Sequence, residues 1–375
     1  MKTKTRVLPG LILPLVLLLT GCPDGGGGEG GFQGTAAVLY TANGGSNNIS
    51  GFTIGSGGVL SPTNPVTVST NNAEWLTLSS NGRLLYASNQ GTHTISGFTV
   101  NGTTGVLTSI GTSTTVSGIN PSPRGLTITP NGQFLYVANS ATNTVAGFSI
   151  GTGGVLTPTT TPTFATGGTA ARGIAVPRNG QFLYVANSTS DNISSFTIGA
   201  GGGLSAIGLV STGAGSHPEG LAISPNGSFL FVAYRGTDRV AAFAIGGGGA
   251  LTPANPQPSF LTGSLGGEGP QRVTVSPNGS FLYVTNTSTN EVAAFTIGSG
   301  AQLTRITPNT DTGVGTAPIG ITIDPTGQSL YVANSGMNEV AGFRIGGGGT
   351  LTATTPATFS VIPNTPIGIA TPGRP

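Results

Sequence analysis

One aromatic position returns seven times along this chain: Tyr40, Tyr86, Tyr136, Tyr184, Phe231, Tyr283 and Tyr331, at spacings of 46, 50, 48, 47, 52 and 48 residues. A second aromatic follows each at the same spacings, as Phe52, Phe98, Phe148, Phe196, Phe243, Phe295 and Phe343. A unit of this length cannot bury an apolar face alone, so copies must stack on one another. The copy from Pro123 to Thr157 shows what a unit contains. Leu126 to Ile128 and Phe134 to Val137 are rich in β-branched and aromatic residues, and Pro130-Asn131-Gly132 between them forms a tight hairpin turn. Val145 to Ile150 is a third strand ended by Gly151 to Gly154, and a looser fourth lies around Pro162 to Ala165. Four short strands at this period describe one blade of a β-propeller.

The ends decide between an open array and a ring. The first copy starts at its second strand, Ala37 to Ala42, and lacks the P-x-G-hydrophobic strand that opens the others. That strand stands at the far end, in Thr365 to Ile369. An open solenoid gives no reason for this offset, because its ends never meet. In a ring, the C-terminal strand completes the N-terminal blade and removes the exposed edges. The expected fold is all-β: a closed seven-bladed propeller with four antiparallel strands per blade, over residues 35–375.

Composition matters mainly at the N-terminus. Residues 1–21 carry Lys2, Lys4 and Arg6 and then an apolar run from Val7 to Leu19, the pattern of a processing signal. The run ends in Leu19-Thr20-Gly21-Cys22, which resembles the lipobox of bacterial lipoproteins. That resemblance implies cleavage before Cys22, lipid attachment at Cys22, and a membrane-anchored protein of the cell envelope facing the periplasm or the exterior. An ordinary secretory signal with an incidental cysteine is the alternative. Residues 22–34 form a Gly-rich tether spanning on the order of 20 Å. Both lysines fall in the leader, so the remaining chain has ten Arg against eleven Asp plus Glu, and the formal charge moves from +2 to −1. A basic nucleic-acid footprint is absent. The low charged fraction of 6% makes every ionisable residue beyond the leader worth placing.

Several repeated residues read as structure. Asn-Gly turns at Asn81, Asn131, Asn179, Asn226 and Asn278, with Thr326-Gly327, join the first and second strands, because Gly supplies the positive φ they need. Asn43, Asn89, Asn139, Asn187, Asn286 and Asn334 end the second strand and are expected to bond the local backbone of the following turn. The Tyr and Phe markers are expected to fill the space between stacked blades. His93 reads as an exposed loop residue. No cofactor or metal site is expected: amides repeated once per blade cannot converge on one ion, and Glu74 with Glu219 alone is a thin carboxylate set.

Candidate chemistry lies at the entry to the first strand of each blade, which lines a propeller's central channel. The residue two before the first apolar strand position is, around the ring, Glu74, Arg124, Arg172, Glu219, Gln271, Ile319 and Ile367. Trp75 and Arg272 follow the first and fifth, and His217 precedes Glu219 by two. Four formal charges on consecutive blades form one arc, and the two isoleucines form an apolar one. Glu74, Trp75, Arg124, Arg172, Gln271 and Arg272 are thus candidate ligand-binding residues.

The string Tyr283-Val284-Thr285-Asn286, with Tyr-Val-Ala-Asn at Tyr136, Tyr184 and Tyr331, resembles the YVTN-repeat propellers. The unit P-x-G-hydrophobic followed by P-N-G and L-Y-V-A-N is similar to the lactonase, or 6-phosphogluconolactonase-like, seven-bladed family. That resemblance implies Arg, Glu and His at the channel mouth, matched here by Arg124, Arg172, His217, Glu219 and Arg272. His217 or Glu219 would be the base for lactone hydrolysis, with Arg172 and Arg124 holding the anion. Equally, Glu74 with Arg124 and Arg172 with Glu219 are neighbours that pair as ion pairs. Three readings stay open: a monomeric envelope propeller binding a small anionic ligand or a partner protein at the mouth, a lactonase-type carboxylic ester hydrolase, and a structural YVTN-repeat surface module.

Overall fold

The structure, a computed structural model, describes residues 37–111, 113–116, 121–254, 259–263, 267, 269–313, 316–361 and 365–372. The leader, Cys22 and the tether lie outside the described residues. Among those described, no helix is long and apolar enough to cross a membrane.

Seven antiparallel sheets radiate from a common axis. Their innermost strands, in ring order from blade 1 to blade 7, are Pro366–Ala370, Ala73–Leu78, Pro123–Ile128, Ala171–Ala175, Pro218–Ile223, Pro270–Val275 and Pro318–Ile323, each beside the next. Blade 3 shows the pattern outward: Pro123–Ile128, Phe134–Asn139, Thr144–Ile150 and Leu156–Ala165. Blade 1 is closed by the chain's last strand: Pro366–Ala370 pairs antiparallel with Val38–Asn43, placing Ala370 opposite Tyr40 and Ile369 opposite Thr41. The chain offset seen in the sequence is therefore the seam of the ring.

The outermost strand runs longer than its sequence suggests. In blade 3 it covers Leu156–Ala165 and includes Pro158 and Pro162, residues that a central strand would reject. On the outer edge their missing donors cost nothing in the sheet, and a bulge opposite Ala146–Phe148 absorbs the extra residues. The Thr159 hydroxyl bonds the Gly147 carbonyl across that bulge at 3.2 Å. Thr63 in blade 1 and Thr354 in blade 7 repeat the contact.

Between blades, the repeated tyrosines do more than fill space. Tyr86 donates its hydroxyl to the Gly154 carbonyl at 2.7 Å, Tyr136 to Gly202 at 2.8 Å, Tyr184 to Gly249 at 3.0 Å and Tyr283 to Gly349 at 2.9 Å. Tyr40 reaches Gly105 at 2.5 Å, and Tyr331 of blade 7 reaches Gly58 of blade 1 at 2.9 Å. Every acceptor is a glycine of the next blade's turn with φ between 70° and 85°. The one copy with Phe231 in place of Tyr faces the one turn whose glycine is replaced, by Ala301 at φ 59°. At Gly154 a methyl group would sit 3.1 Å from the Tyr86 hydroxyl, so losing the hydroxyl at Phe231 makes room for the methyl of Ala301.

Five of the Asn residues ending the second strands, Asn43, Asn89, Asn139, Asn187 and Asn334, bond side chains of the third strand rather than local backbone, while Asn286 donates to the distant Thr262 carbonyl. Asn187 Nδ2 donates to Asn192 Oδ1 and Ser194 Oγ, both at 2.7 Å, and Asn43 makes the same pair of contacts to Asn48 and Ser50. These amides are fully buried, where water cannot compete, and the side chains of positions five and seven onward are within reach across the hairpin.

Candidate functional site

The loop into each innermost strand is held before it delivers a side chain to the channel. The residue preceding that strand has positive φ in every copy: Asn72, Ser122, Ala170, His217, Gly269, Ala317 and Thr365. In six of these, all but Asn72, the N–H is taken by a side chain of the preceding blade, for example Ala170 by Asn143 Oδ1 at 2.7 Å, Ala317 by Asn290 at 2.9 Å and Thr365 by Asn338 at 2.9 Å. In blade 2 the same acceptor is His93, whose Nδ1 takes the Ser122 N–H at 3.3 Å. His93 is therefore partly buried and bonded rather than an exposed loop residue.

The residues entering the channel at this end surround a cavity of about 170 Å³ lined by Glu74, Trp75, Arg124, Arg172, Glu219, Gln271, Arg272, Ile319 and Ile367. The seven equivalent positions read from the repeat thus converge on one space. Arg124 Nη1 meets Glu74 Oε2 at 2.6 Å, and Arg172 Nη1 meets Glu219 Oε1 at 3.3 Å. The Glu219 side chain is only 4% exposed, and Ser188 Oγ gives its carboxylate a further, longer contact at 3.4 Å.

Gln90, which no repeat or motif singles out, belongs to this network. Its hydrogen-bond surroundings orient the amide so that the nitrogen donates to Glu74 Oε1 while the oxygen accepts from Arg124 Nη2 at 2.8 Å and from Ser122 Oγ at 3.1 Å. Its only sequence signal is its place next to Asn89, at the end of a second strand facing the mouth.

His217 lies apart from the cavity wall. Its side chain is 52% exposed, and Nδ1 sits 2.9 Å from the Ser188 carbonyl, while its backbone N–H is held by Asp191 Oδ1 at 2.8 Å. Although desolvation works the other way, the N–H groups of His217 and Gly215 and the Ser216 hydroxyl keep the Asp191 carboxyl below its ordinary value.

Two side chains break the pattern that packs the innermost strands. In five blades the residue after the mouth position is Gly125, Gly173, Gly220, Gly320 or Gly368. A Cβ at Gly220, Gly320 or Gly368 would lie 2.5 to 2.6 Å from the next blade's carbonyl oxygen, on Gln271, Ile367 and Glu74 respectively. The other two blades carry Trp75 and Arg272. These come from opposite sides of the ring and stack, with the Arg272 guanidinium carbon 3.6 Å from the centre of the indole ring.

The second strand compensates in just these two blades. Its usual Ala becomes Ser88, which donates to the Arg124 carbonyl at 2.7 Å, and Thr285, which donates to the Ile319 carbonyl at 2.9 Å. A hydroxyl fills the gap that a large residue opens between innermost strands. The Thr of the Tyr-Val-Thr-Asn string is thus tied to Arg272.

The stacked pair lines both the mouth cavity and a second space of about 130 Å³ below it, forming a floor between them. Burial in the channel lowers the Arg272 pKa from its ordinary value to about 10; Glu219 and Glu74 act against that shift, while Arg124 and Arg172 add to it. The guanidinium stays charged at neutral pH.

The model of the family described as "Lactonase, 7-bladed beta-propeller" matches residues 32–121, 120–262 and 251–361. The chain belongs to the lactonase family of seven-bladed propellers. A search of curated proteins gives no match. Among solved structures, a putative 6-phosphogluconolactonase from Bacteroides fragilis aligns at 21% identity and TM-score 0.78, covering 90% of this chain and 98% of that one. A second, from Bacteroides uniformis, aligns at 22% and 0.78, covering 90% and 100%. The periplasmic gluconolactonase of Pseudomonas aeruginosa aligns at 20% and 0.78, covering 91% and 100%. At such identities the likeness is one of fold.

Proposed function

We propose that this member of the lactonase family is a lipid-anchored propeller of the cell envelope, attached through Cys22, that binds a small anionic ligand at its channel mouth. The supporting observation is the mouth cavity itself, where three arginines and two glutamates of a charge-poor chain meet. Both glutamates are engaged by arginine, so neither stands free as a base, and His217, which does not line the cavity, has its Nδ1 at the Ser188 carbonyl. That arrangement favours holding a ligand over activating water. Ion pairs here keep the arginine forks in place for a ligand carboxylate or phosphate.

Hydrolysis of a sugar lactone or related ester is the second reading. It draws support from family membership and from the description of the Pseudomonas aeruginosa structure as a periplasmic gluconolactonase. Its base would be Glu219, released from Arg172 when substrate enters.

One experiment separates the two. The purified chain is given a panel of sugar and acyl lactones, beside the double variant Arg172→Ala with Glu219→Ala. The binding reading expects no turnover above background in either protein, with calorimetric binding of small anions lost in the variant at an unchanged melting temperature. Turnover that collapses in the variant would establish the hydrolase instead.

A further inference from the structure

Resting on the anion-binding reading, we propose that the ligand is a small monocarboxylic acid with one apolar edge, and that Arg272 is the residue that takes its carboxylate.

The charges around the cavity do not cancel. Two of the three arginines are matched one to one by Glu74 and Glu219, leaving Arg272 as a single surplus positive charge. Among the described residues neither an ion pair nor a hydrogen bond engages its guanidinium, whose positive face is held only by the Trp75 ring. A stacked guanidinium keeps its edge N–H groups free, and that edge is the fork that binds a carboxylate with two parallel hydrogen bonds. Glu219 and Glu74 act on Arg272 only from a distance while each pairs with its own arginine, so the cluster keeps one positive charge in excess and one negative charge is what would balance it. A phosphate monoester would bring close to two and leave a buried negative surplus.

Shape adds to charge. Gln271 stands beside Arg272 with an amide that both donates and accepts, which suits a ligand hydroxyl. Ile319 and Ile367, on the two blades that follow, give the apolar flank. A cavity of about 170 Å³ has the room of about five or six waters and a closed floor, so the acid is small.

Trp75 is the only tryptophan in the chain, so its fluorescence reports directly on the cation above it. Glycolate, lactate and 2-hydroxybutyrate are titrated into the purified chain against neutral sorbitol and inorganic phosphate, with emission and calorimetry read in parallel. Affinity is expected to rise from glycolate to the two acids that carry an alkyl edge. The monocarboxylates are expected to bind one per chain and to shift Trp75 emission, while sorbitol does neither. Arg272→Gln should weaken carboxylate binding by at least about tenfold. Arg272→Lys, which keeps the charge and loses the fork, should fall between, and Arg83→Gln, on an exposed turn, should change nothing.

Phosphate binding more tightly than every carboxylate, equal binding of sorbitol and lactate, or full binding by Arg272→Gln at an intact melting temperature would each overturn this assignment. The broader reading would survive the first of these. If neither carboxylates nor phosphate bind, both fail together.

Discussion

At the scale of single residues, the chain shows the same physical rule applied six times and relaxed once. A buried tyrosine hydroxyl needs a partner, and the neighbouring blade supplies a glycine carbonyl in a conformation that glycine adopts without cost. Where the hydroxyl is missing, at Phe231, the glycine restriction lifts and Ala301 stands in its place. Phe231→Tyr alone should therefore destabilise by about 1–3 kcal/mol, since its hydroxyl enters an apolar cluster already filled by a methyl. Adding Ala301→Gly should recover a coupling of at least about 0.5 kcal/mol in a double-mutant cycle by urea denaturation; strict additivity would show the pairing to be accidental. The tyrosines also set the alkaline limit. Burial raises all seven phenols above their ordinary value of 10.0. The protonated form is favoured in the folded state, so this contribution is complete below pH 10 and drains away as pH rises toward the folded pKa. Phenolate absorbance should thus appear together with the loss of sheet circular dichroism, not before it.

At the scale of elements, the innermost strands set how tightly the ring closes. Five glycines let adjacent strands touch backbone to backbone, and two large residues widen the gap where a hydroxyl on the second strand then bridges it. Gly320→Ala should cost on the order of 1–3 kcal/mol, because the Ile367 carbonyl it would strike is backbone and cannot step aside. Thr285→Ala should cost about 1–3 kcal/mol by leaving the Ile319 carbonyl unpaired, while Thr285→Ser should be close to neutral. Both are read from denaturant midpoints at unchanged m-value. The innermost and second strands were legible in the sequence because they are short, apolar and flanked by Asn-Gly turns. The outermost strands were legible only in part: the stretch around Pro162 to Ala165 could be read, but the strand's start at Leu156 could not, since its edge position tolerates the Thr and Pro that hide a strand's pattern. Gln90 was invisible for a related reason: its role depends on a neighbour 34 residues away in sequence, Arg124, and on no repeat.

At the scale of the whole molecule, stability depends on closure. The last strand completes the first blade, and Tyr331 fastens blade 7 to Gly58 across the seam. Removing residues from Thr365 onward should leave Val38–Asn43 as an unpaired edge at the heart of the ring. The truncated chain is expected to lose cooperative thermal unfolding and to aggregate, measured by calorimetry and light scattering. A monomer melting as sharply as the full chain would show that the seam is dispensable.

The repeat by itself determined the ring, the number of blades, the seam and the seven residues that meet at the channel mouth. Periodicity carries that information because each blade must bury the same face against the next. What only the tertiary structure decided is how those residues divide their charges. Glu74 with Arg124 and Glu219 with Arg172 were foreseeable as neighbours, but the meeting of Trp75 and Arg272 across the channel was not. Their contact joins strands from opposite sides of the ring, and the distance between such strands depends on how seven sheets close, a property no single repeat contains.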